Sequence, residues 1–396
     1  MKILVLDTEN TTHEFGNPFS RCNKCCIIPY HLHDGDSFRT GYLNWEYAGH
    51  VSRDYIDTLT SLVKDSELIV GFNLKYDLHW LRRYGILEYG QLAQTHIVWD
   101  CQLAQFIIRN QQERMPSLNS TCEFWGLGQK LDVVEREYWA KGLDTTDVPL
   151  DILSEYGMKD VDLTYQVYLK QQEYLKDKPK LARLIRLSMQ DLLVLAEMEW
   201  NGLRYDVDES NRRAVSVDSE IQEIDEALKG ILGNYPFNFN SNDQLSVILY
   251  GGTIKFDKAT PYEYVLKTGQ KAGQTVTRFN HEVTEVPFPR LAQPSDKSKL
   301  KKDGYWSTDD SSLSQLKVTG PAKVVVAHLK RRAELERLVS TYYRGFPKKM
   351  SEMDWPEGEV HSNLNQCIVV TGRLSSSNPN QQNIPPIVYE LVKTRF

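Results

Sequence analysis

Residues 2–10 read KILVLDTEN, an apolar run that ends on Asp7, Thr8, Glu9 and Asn10. The run has the composition of a first β-strand. Side chains alternate faces along a strand, so Asp7 and Glu9 project from the same face about 7 Å apart. That spacing suits two carboxylates sharing metal ions. An isolated D-x-E more often marks a solvated edge, so its meaning depends on what the sequence places beside it.

Outward from this stretch, strand-like and helix-like patterns alternate. CCIIPYHL and ELIVGFN are further β-rich runs. LKYDLHWLRRYG and PLDILSEYGMKDVDLTYQVYLKQQEYL carry apolar residues at helical spacing, the second after Asp147 and Pro149, which suit a helix start. The alternation predicts an α/β domain over residues 1–180, closed by a Lys-rich linker, KDKPK, at 176–180. Residues 181–396 are predicted to be mainly helical. LARLIRLSMQDLLVLAEMEWNG is a long amphipathic helix stopped at Asn201-Gly202, and VVVAHLKRRAELERLVSTYYRGF is another, with Val326, Leu329, Ala333, Leu335 and Leu338 on its apolar side. Between them, residues 253–306 are polar and punctuated by Gly and Pro, and read as an extended, partly flexible insertion.

A chain of 396 residues is long enough for two or three cores. Its 41% hydrophobic and 25% charged residues are those of a soluble globular protein. No window approaches the apolar length of a membrane span, and the amino terminus lacks a signal-peptide core. Six cysteines without framework spacing (Cys22, Cys25, Cys26, Cys101, Cys122, Cys367) favour a reducing compartment without disulfides. The net charge of −6 hides a segregation: Lys317 to Lys349 holds nine Lys or Arg against two acidic residues. The carboxylates positioned for chemistry lie in the first 165 residues. An acidic site and a basic grip on one chain point to a nucleic-acid enzyme.

Two further elements bear on Asp7 and Glu9. In GFNLKYDLHWL, Asn73 and Asp77 bracket the junction of a buried strand and a helix, where a carboxylate points over the sheet. In SEYGMKDVDLT, Tyr156 and Asp160 are four apart and share a helix face, with Asp162 nearby as a surface or supporting group. The order D-x-E, NLKYD, Y-x-x-x-D resembles the three-motif signature of the DEDDy 3′-to-5′ exonucleases, over roughly residues 1–170. The resemblance implies a ribonuclease H-like fold in which Asp7, Glu9, Asp77 and Asp160 hold two divalent ions and Tyr156 orients the attacking water. Hard oxygen ligands select Mg²⁺ or Mn²⁺. A competing metal reading takes Cys22, Cys25, Cys26, His31 and His33 as zinc ligands; against it, CCIIPYHL reads as a strand whose adjacent cysteines face opposite ways.

The second half supplies hydroxyl and amide donors and a few cations, but no second set of paired carboxylates. Such groups position a duplex without reading its sequence. FNFNSNDQLSVILYGG, LERLVSTYYRGF and NQCIVVTGRLSSSNPNQQNIP together resemble the thumb region of family A DNA polymerases, and the polar insertion is similar to that of bacteriophage members. The resemblance implies that Thr371, Arg373, Ser375, Asn380, Gln382 and Asn383 lie against primer-template, with Asn73 as a further DNA contact and Lys330, Arg331, Arg337 and Arg344 gripping duplex DNA. Gln381 stands where the family usually has Leu. Palm and fingers motifs are not found by Phe396. The expectation is a proofreading 3′-to-5′ exonuclease and DNA-gripping part of a split or truncated replicative polymerase, in the cytoplasm of a phage-infected bacterium. Its expected partners are then DNA, a second chain carrying palm and fingers, and a processivity factor, with no membrane. The alternatives are a stand-alone exoribonuclease of the same fold and a non-catalytic DNA-binding assembly subunit.

Overall fold

The computed structural model describes residues 1–393 apart from 36, 48, 269, 270 and 272. The chain gathers into two compact units, Met1–Glu209 with Phe346–Phe396, and Ser210–Gly345.

The first unit is built on a six-stranded sheet. Its strands are β1 (Lys2–Leu6), β2 (Glu9–Asn10), β3 (Cys25–Asp34), β4 (Ser37–Asn44), β5 (Leu68–Gly71) and β6 (Ile97–Asp100). They lie in the order β2-β3-β1-β5-β6, with β4 paired to β3. β1 runs antiparallel to β3 and parallel to β5, which is parallel to β6. Leu4, Val5 and Leu6 are all buried, so both faces of β1 are covered, as expected for an interior strand next to a parallel neighbour.

Among the described residues, the α-helices that lie between or follow these strands are α1 (Arg53–Asp65), α2 (Leu74–Arg83), α3 (Tyr89–Thr95), α4 (Cys101–Ile108), α5 (Leu118–Trp125), α6 (Val133–Glu137) and α7 (Leu150–Leu175). α7 packs across β1, β3 and β5. The helix after it, α8 (Pro179–Asn201), has Pro at its first turn, where a missing N–H is tolerated. It sends Ile185, Met189, Leu192, Leu193 and Ala196 into the same apolar core as Leu4, Val5 and Ile69. The boundary expected at 180/181 therefore does not coincide with the compact units. Within KDKPK, residues 176–178 form the tight turn between α7 and α8 and Pro179 opens α8, whose amphipathic face is satisfied by the first unit's own core. The chain returns to this unit at Phe346.

The intervening part runs β7 (Leu203–Tyr205), α9 (Val207–Leu232), α10 (Asn242–Tyr250), β8 (Gly252–Val265), β9 (Thr275–Phe288), α11 (Asp310–Ser314), α12 (Pro321–Arg337) and α13 (Gly345–Glu352), with a π-helical turn at Leu338–Tyr343. The polar insertion is extended, as its composition indicates, but paired: β8 and β9 form a ribbon in register from Gly252↔Phe288 to Val265↔Thr275. Its polarity follows from exposure on both faces. Only at its base are Ile254, Phe256 and Phe288 buried, where Phe256 stacks on Tyr235. The last strands are β10 (Glu359–Val360), β11 (Asn363–Asn365), β12 (Ser375–Ser377) and β13 (Val392–Lys393); β10 and β13 flank β7, and β11 pairs with β12. Among the described residues no helix is long and apolar enough to cross a membrane.

Candidate active site

The register of β1 on β3 carries Asp7 and Glu9 into place. Pairing runs from Lys2↔Asp34 to Leu6↔Tyr30 and resumes at Glu9↔Ile27, with a shift immediately after, at Asn10. Between them Asp7 donates its N–H to the carbonyl of Pro29 at 3.2 Å, but Pro29 has no N–H to return. The ladder is thus interrupted at the acidic pair while the alternation of faces is kept.

α7 brings Asp160 to the same place. Carboxylate oxygens of Asp7, Glu9 and Asp160 lie within 4.8 Å of one another. Asp77, in the first turn of α2, is outside that group of three and is tethered to it by Thr8, whose Oγ1 donates to Asp77 Oδ1 at 2.7 Å. The other oxygen of Asp77 and one oxygen of Asp160, Oδ1, are buried and have no hydrogen-bond partner among the described residues. Buried, unpaired carboxylate oxygens are costly and rare. One such oxygen on Asp160, a member of the cluster, and one on Asp77, tied to it through Thr8, fit an oxygen-ligated divalent cation, and the all-carboxylate donor set fits Mg²⁺ or Mn²⁺ better than a thiophilic metal.

The electrostatics agree. Burial raises Asp7 to about 6, against the pull of Lys130 and of the Thr8 backbone N–H. Burial raises Asp160 to about 7, again opposed mainly by Lys130. Glu9 is raised well above the usual range by burial and then by the charges of Asp7 and Asp160, and Asp77 by burial and then by Asp7. Four acids that resist ionisation together require a counter-charge to ionise together.

Tyr156 lies one helical turn before Asp160 and is buried. Its hydroxyl donates to Glu135 Oε1 at 3.1 Å. Gly157 follows because α7 has no room there: a Cβ would stand 2.9 Å from Pro29 Cγ and 3.3 Å from Glu9 Oε1. Lys130, just before α6, sets its ammonium 2.9 Å from Asp160 Oδ2 and 3.1 Å from Glu135 Oε1, and 4.5 Å from the Tyr156 ring centroid. Sequence reading had no access to Thr8, Lys130, Glu135 or Gly157 as site residues. Lys130 and Glu135 stand in an aperiodic stretch, so no spacing ties them to Tyr156.

The remaining expected residues are more dispersed. Asn73 is the left-handed residue that starts α2 (φ 60°, ψ 43°), with its N–H held by Asp100 Oδ1 at 3.2 Å. Asp162 takes Gln166 Nε2 at 2.9 Å and Lys159 at 3.4 Å, apart from the metal-type cluster. Cys25 and Cys26 are buried in two different apolar clusters on opposite faces of β3, and the His33 ring stacks on Tyr165. In the second unit Arg331 pairs with Glu220 and Glu334, Arg344 with Asp218, and Lys330 with Ser314 and Asp310; Arg337 is exposed. Three of these four cations are thus engaged by the unit's own acids. Thr371, Arg373, Asn380, Gln382 and Asn383 are exposed and Ser375 is half-buried on β12. Their loop is held by its own bonds, Gln382 N to Asn380 Oδ1 at 2.9 Å and Gln382 Nε2 to the Leu374 carbonyl at 3.2 Å.

Fold and site together describe a sheet-based acidic centre followed by a helical region. Residues 29–176 match the 3′-5′ exonuclease family, which takes in Asp77, Tyr156 and Asp160, and residues 267–395 match DNA polymerase family A. The chain thus combines a 3′-5′ exonuclease domain with part of a family A DNA polymerase domain. Similar proteins include the DNA polymerase I of a Synechocystis species, 31% identical over 318 residues that cover 79% of this chain and 26% of that protein. The DNA polymerase I of Bacillus subtilis is 28% identical over 287 residues, covering 72% of this chain and 27% of that protein. The chain therefore spans about a quarter of the length of these curated relatives. Among solved structures, the POL domain of Pol1 from M. smegmatis, in complex with DNA primer-template and dNTP, has a similar fold (TM-score 0.63, 17% identity, 97% of this chain and 52% of that one).

Proposed function

We propose that the chain is a two-metal 3′-to-5′ DNA exonuclease that proofreads for a family A polymerase, with the hairpin and loop from Thr371 to Asn383 and the cations of the second unit contacting primer-template. The observation that carries it is the carboxylate cluster of Asp7, Glu9 and Asp160, with buried unpaired oxygens on Asp77 and Asp160 and with Tyr156 one helical turn before Asp160. Asp7, Glu9, Asp77 and Asp160 would hold the ions. When bound, a pair of divalent ions supplies charge neutralisation for the attacking and leaving oxygens of a phosphodiester.

The rest is done by the chain itself. Glu135 as a carboxylate only accepts, so the proton of the Tyr156 hydroxyl is directed to it and the phenolic oxygen keeps its lone pairs for a water. A water so held presents its own lone pair toward phosphorus. The bases play no part in this chemistry, so selectivity falls to the shape of a frayed 3′ end. A polymerising palm and fingers would come from sequence other than these 396 residues, in this or a second polypeptide, and the bacteriophage likeness of the insertion is the finer form of the same reading; the relatives above are bacterial.

The test uses 3′-labelled and 5′-labelled DNA and RNA oligonucleotides with Mg²⁺. Stepwise shortening of DNA from the 3′ end, abolished in Asp7→Ala with Glu9→Ala and in excess EDTA, is the expected result. Hydrolysis that survives EDTA would remove the metal assignment, and a preference for RNA would favour the exoribonuclease alternative.

A further inference from the structure

We propose that Lys130 is a built-in counter-cation of the acidic centre, which restrains divalent-ion loading and, with Glu135, positions the Tyr156 hydroxyl. The proposal rests on the exonuclease reading and adds to it a residue that no motif of that reading includes.

The geometry divides Asp160 between two roles. Oδ2 is taken by the Lys130 ammonium, while Oδ1 is buried and unpartnered, and the carboxylate as a whole belongs to the cluster with Asp7 and Glu9. The ammonium is also bound to the same Glu135 oxygen, Oε1, that receives the Tyr156 proton, and it lies over the Tyr156 ring. The lysine is anchored at both ends: its backbone N–H donates to Asn119 Oδ1 at 3.0 Å, and its side chain is only 19% exposed. It is the cation that opposes the upward shift of Asp7, Glu9 and Asp160 alike.

Two consequences follow from Coulomb's law. A unit positive charge bound to a ligand carboxylate repels a divalent ion at the next oxygen, so the site binds ions less tightly than its carboxylates alone would. A phosphodiester brought to the site offers the ammonium a competing anion. Ion loading is thereby tied to the arrival of substrate. Through Glu135 the same lysine fixes the acceptor to which Tyr156 donates, so it acts on the water through Tyr156 and is a positioning residue.

The experiment measures Mn²⁺ alone, by isothermal titration calorimetry of the full chain without DNA, and separately the hydrolysis rate at saturating Mn²⁺. Lys130→Met keeps the length and removes the charge. It is expected to bind Mn²⁺ roughly tenfold or more tightly and to hydrolyse roughly tenfold more slowly at saturation. Lys130→Arg, which keeps the charge, should retain wild-type Mn²⁺ affinity and guards against misreading a folding defect. Glu135→Ala should slow hydrolysis without tightening Mn²⁺ binding, because it loosens Tyr156 and leaves the lysine in place. Wild-type Mn²⁺ binding with no tightening in Lys130→Met would overturn this proposal alone. Failure of both the wild-type chain and Lys130→Met to bind Mn²⁺ would overturn the exonuclease reading and this proposal with it.

Discussion

Of the buried carboxylate sites described in the first unit, two that lie against α2 are satisfied in opposite ways. Glu199, near the end of α8, is 3% exposed and fully occupied: Lys75 Nζ at 2.6 Å, His79 Nε2 at 2.7 Å, and the backbone N–H of Leu364. Burial alone would raise its pKa, but the His79 hydrogen bond and the Lys75 charge outweigh that and hold it below the usual range. Asp77, on the same helix between Lys75 and His79 and 1% exposed, is shifted the other way and keeps an unpaired oxygen. Residues four apart on a helix share a face, and the residue midway between them lies on another. One helix thus fastens a structural charge on one side and presents a strained one on the other. The lesson is that burial of a carboxylate says little by itself; what marks a site is burial without partners.

The widest separation between the two is expected on removing Glu199. Glu199→Ala leaves the Lys75 and His79 side chains and the Leu364 N–H facing an apolar gap, and breaking a buried pair from one side costs about 3–5 kcal/mol. Denaturant unfolding should show that loss. A change below about 1 kcal/mol would place Glu199 among ordinary solvated pairs and dissolve the contrast.

Next in size is the pH dependence of the acidic centre without metal. Asp160 is raised from 3.8 to about 7, so the folded chain binds more protons than the unfolded chain between those values. Stability then falls as pH rises from about 4 to about 7, by on the order of 4 kcal/mol for a shift of roughly three units. Glu199 has the opposite sign: its contribution is present at neutral pH and lost on acidification. In EDTA, Asp160→Asn should match the wild-type chain near pH 4 and be more stable at pH 8. Equal stability at both ends would mean that the charge of Asp160 is already compensated.

Tyr156→Phe should act on rate and not on stability. Losing one preorganised hydrogen bond near the reacting atoms costs about 3 kcal/mol, roughly a hundredfold in hydrolysis. Mn²⁺ affinity should be unchanged, since the phenol is not among the ligands. A wild-type rate would detach Tyr156 from the chemistry.

How much of this was legible beforehand differs between the two carboxylate sites. β1, β3, β5, α2, α7 and α8 follow from apolar runs and helical periodicity, and Asp7, Glu9, Asp77, Tyr156 and Asp160 from spacing on those elements. Glu199 was invisible because its partners, Lys75, His79 and Leu364, are brought to it from 120 or more residues away. Lys130 and Glu135 were hidden differently: their partners are nearer in sequence, but no periodic spacing ties them to Tyr156 and Asp160. That α8 packs into the first core was not legible, because from its own sequence α8 looks like the start of something new. Its apolar face completes the first core, a matter of tertiary packing that periodicity does not address.

The smallest expected effect is the one that best separates local preference from site geometry. Gly157 lies inside α7 between Tyr156 and Asp160, where alanine is normally better by about 1 kcal/mol because it restricts the unfolded chain. Here the added methyl would meet Pro29 Cγ at 2.9 Å and Glu9 Oε1 at 3.3 Å. Pro29 is held in the middle of β3, so the strain falls on the α7 backbone or on Glu9, and overpacking of this kind costs about 1–3 kcal/mol. The two contributions nearly cancel in stability. They do not cancel in geometry, because either response changes the distance between Glu9 and Asp160 that lets them share an ion. Gly157→Ala should therefore melt within a few degrees of the wild-type chain and hydrolyse DNA roughly tenfold more slowly, a loss partly restored by raising Mn²⁺. An unchanged rate would show that the close approach at Gly157 packs the helix without setting the site, and the acidic centre would then owe its shape to the strands alone.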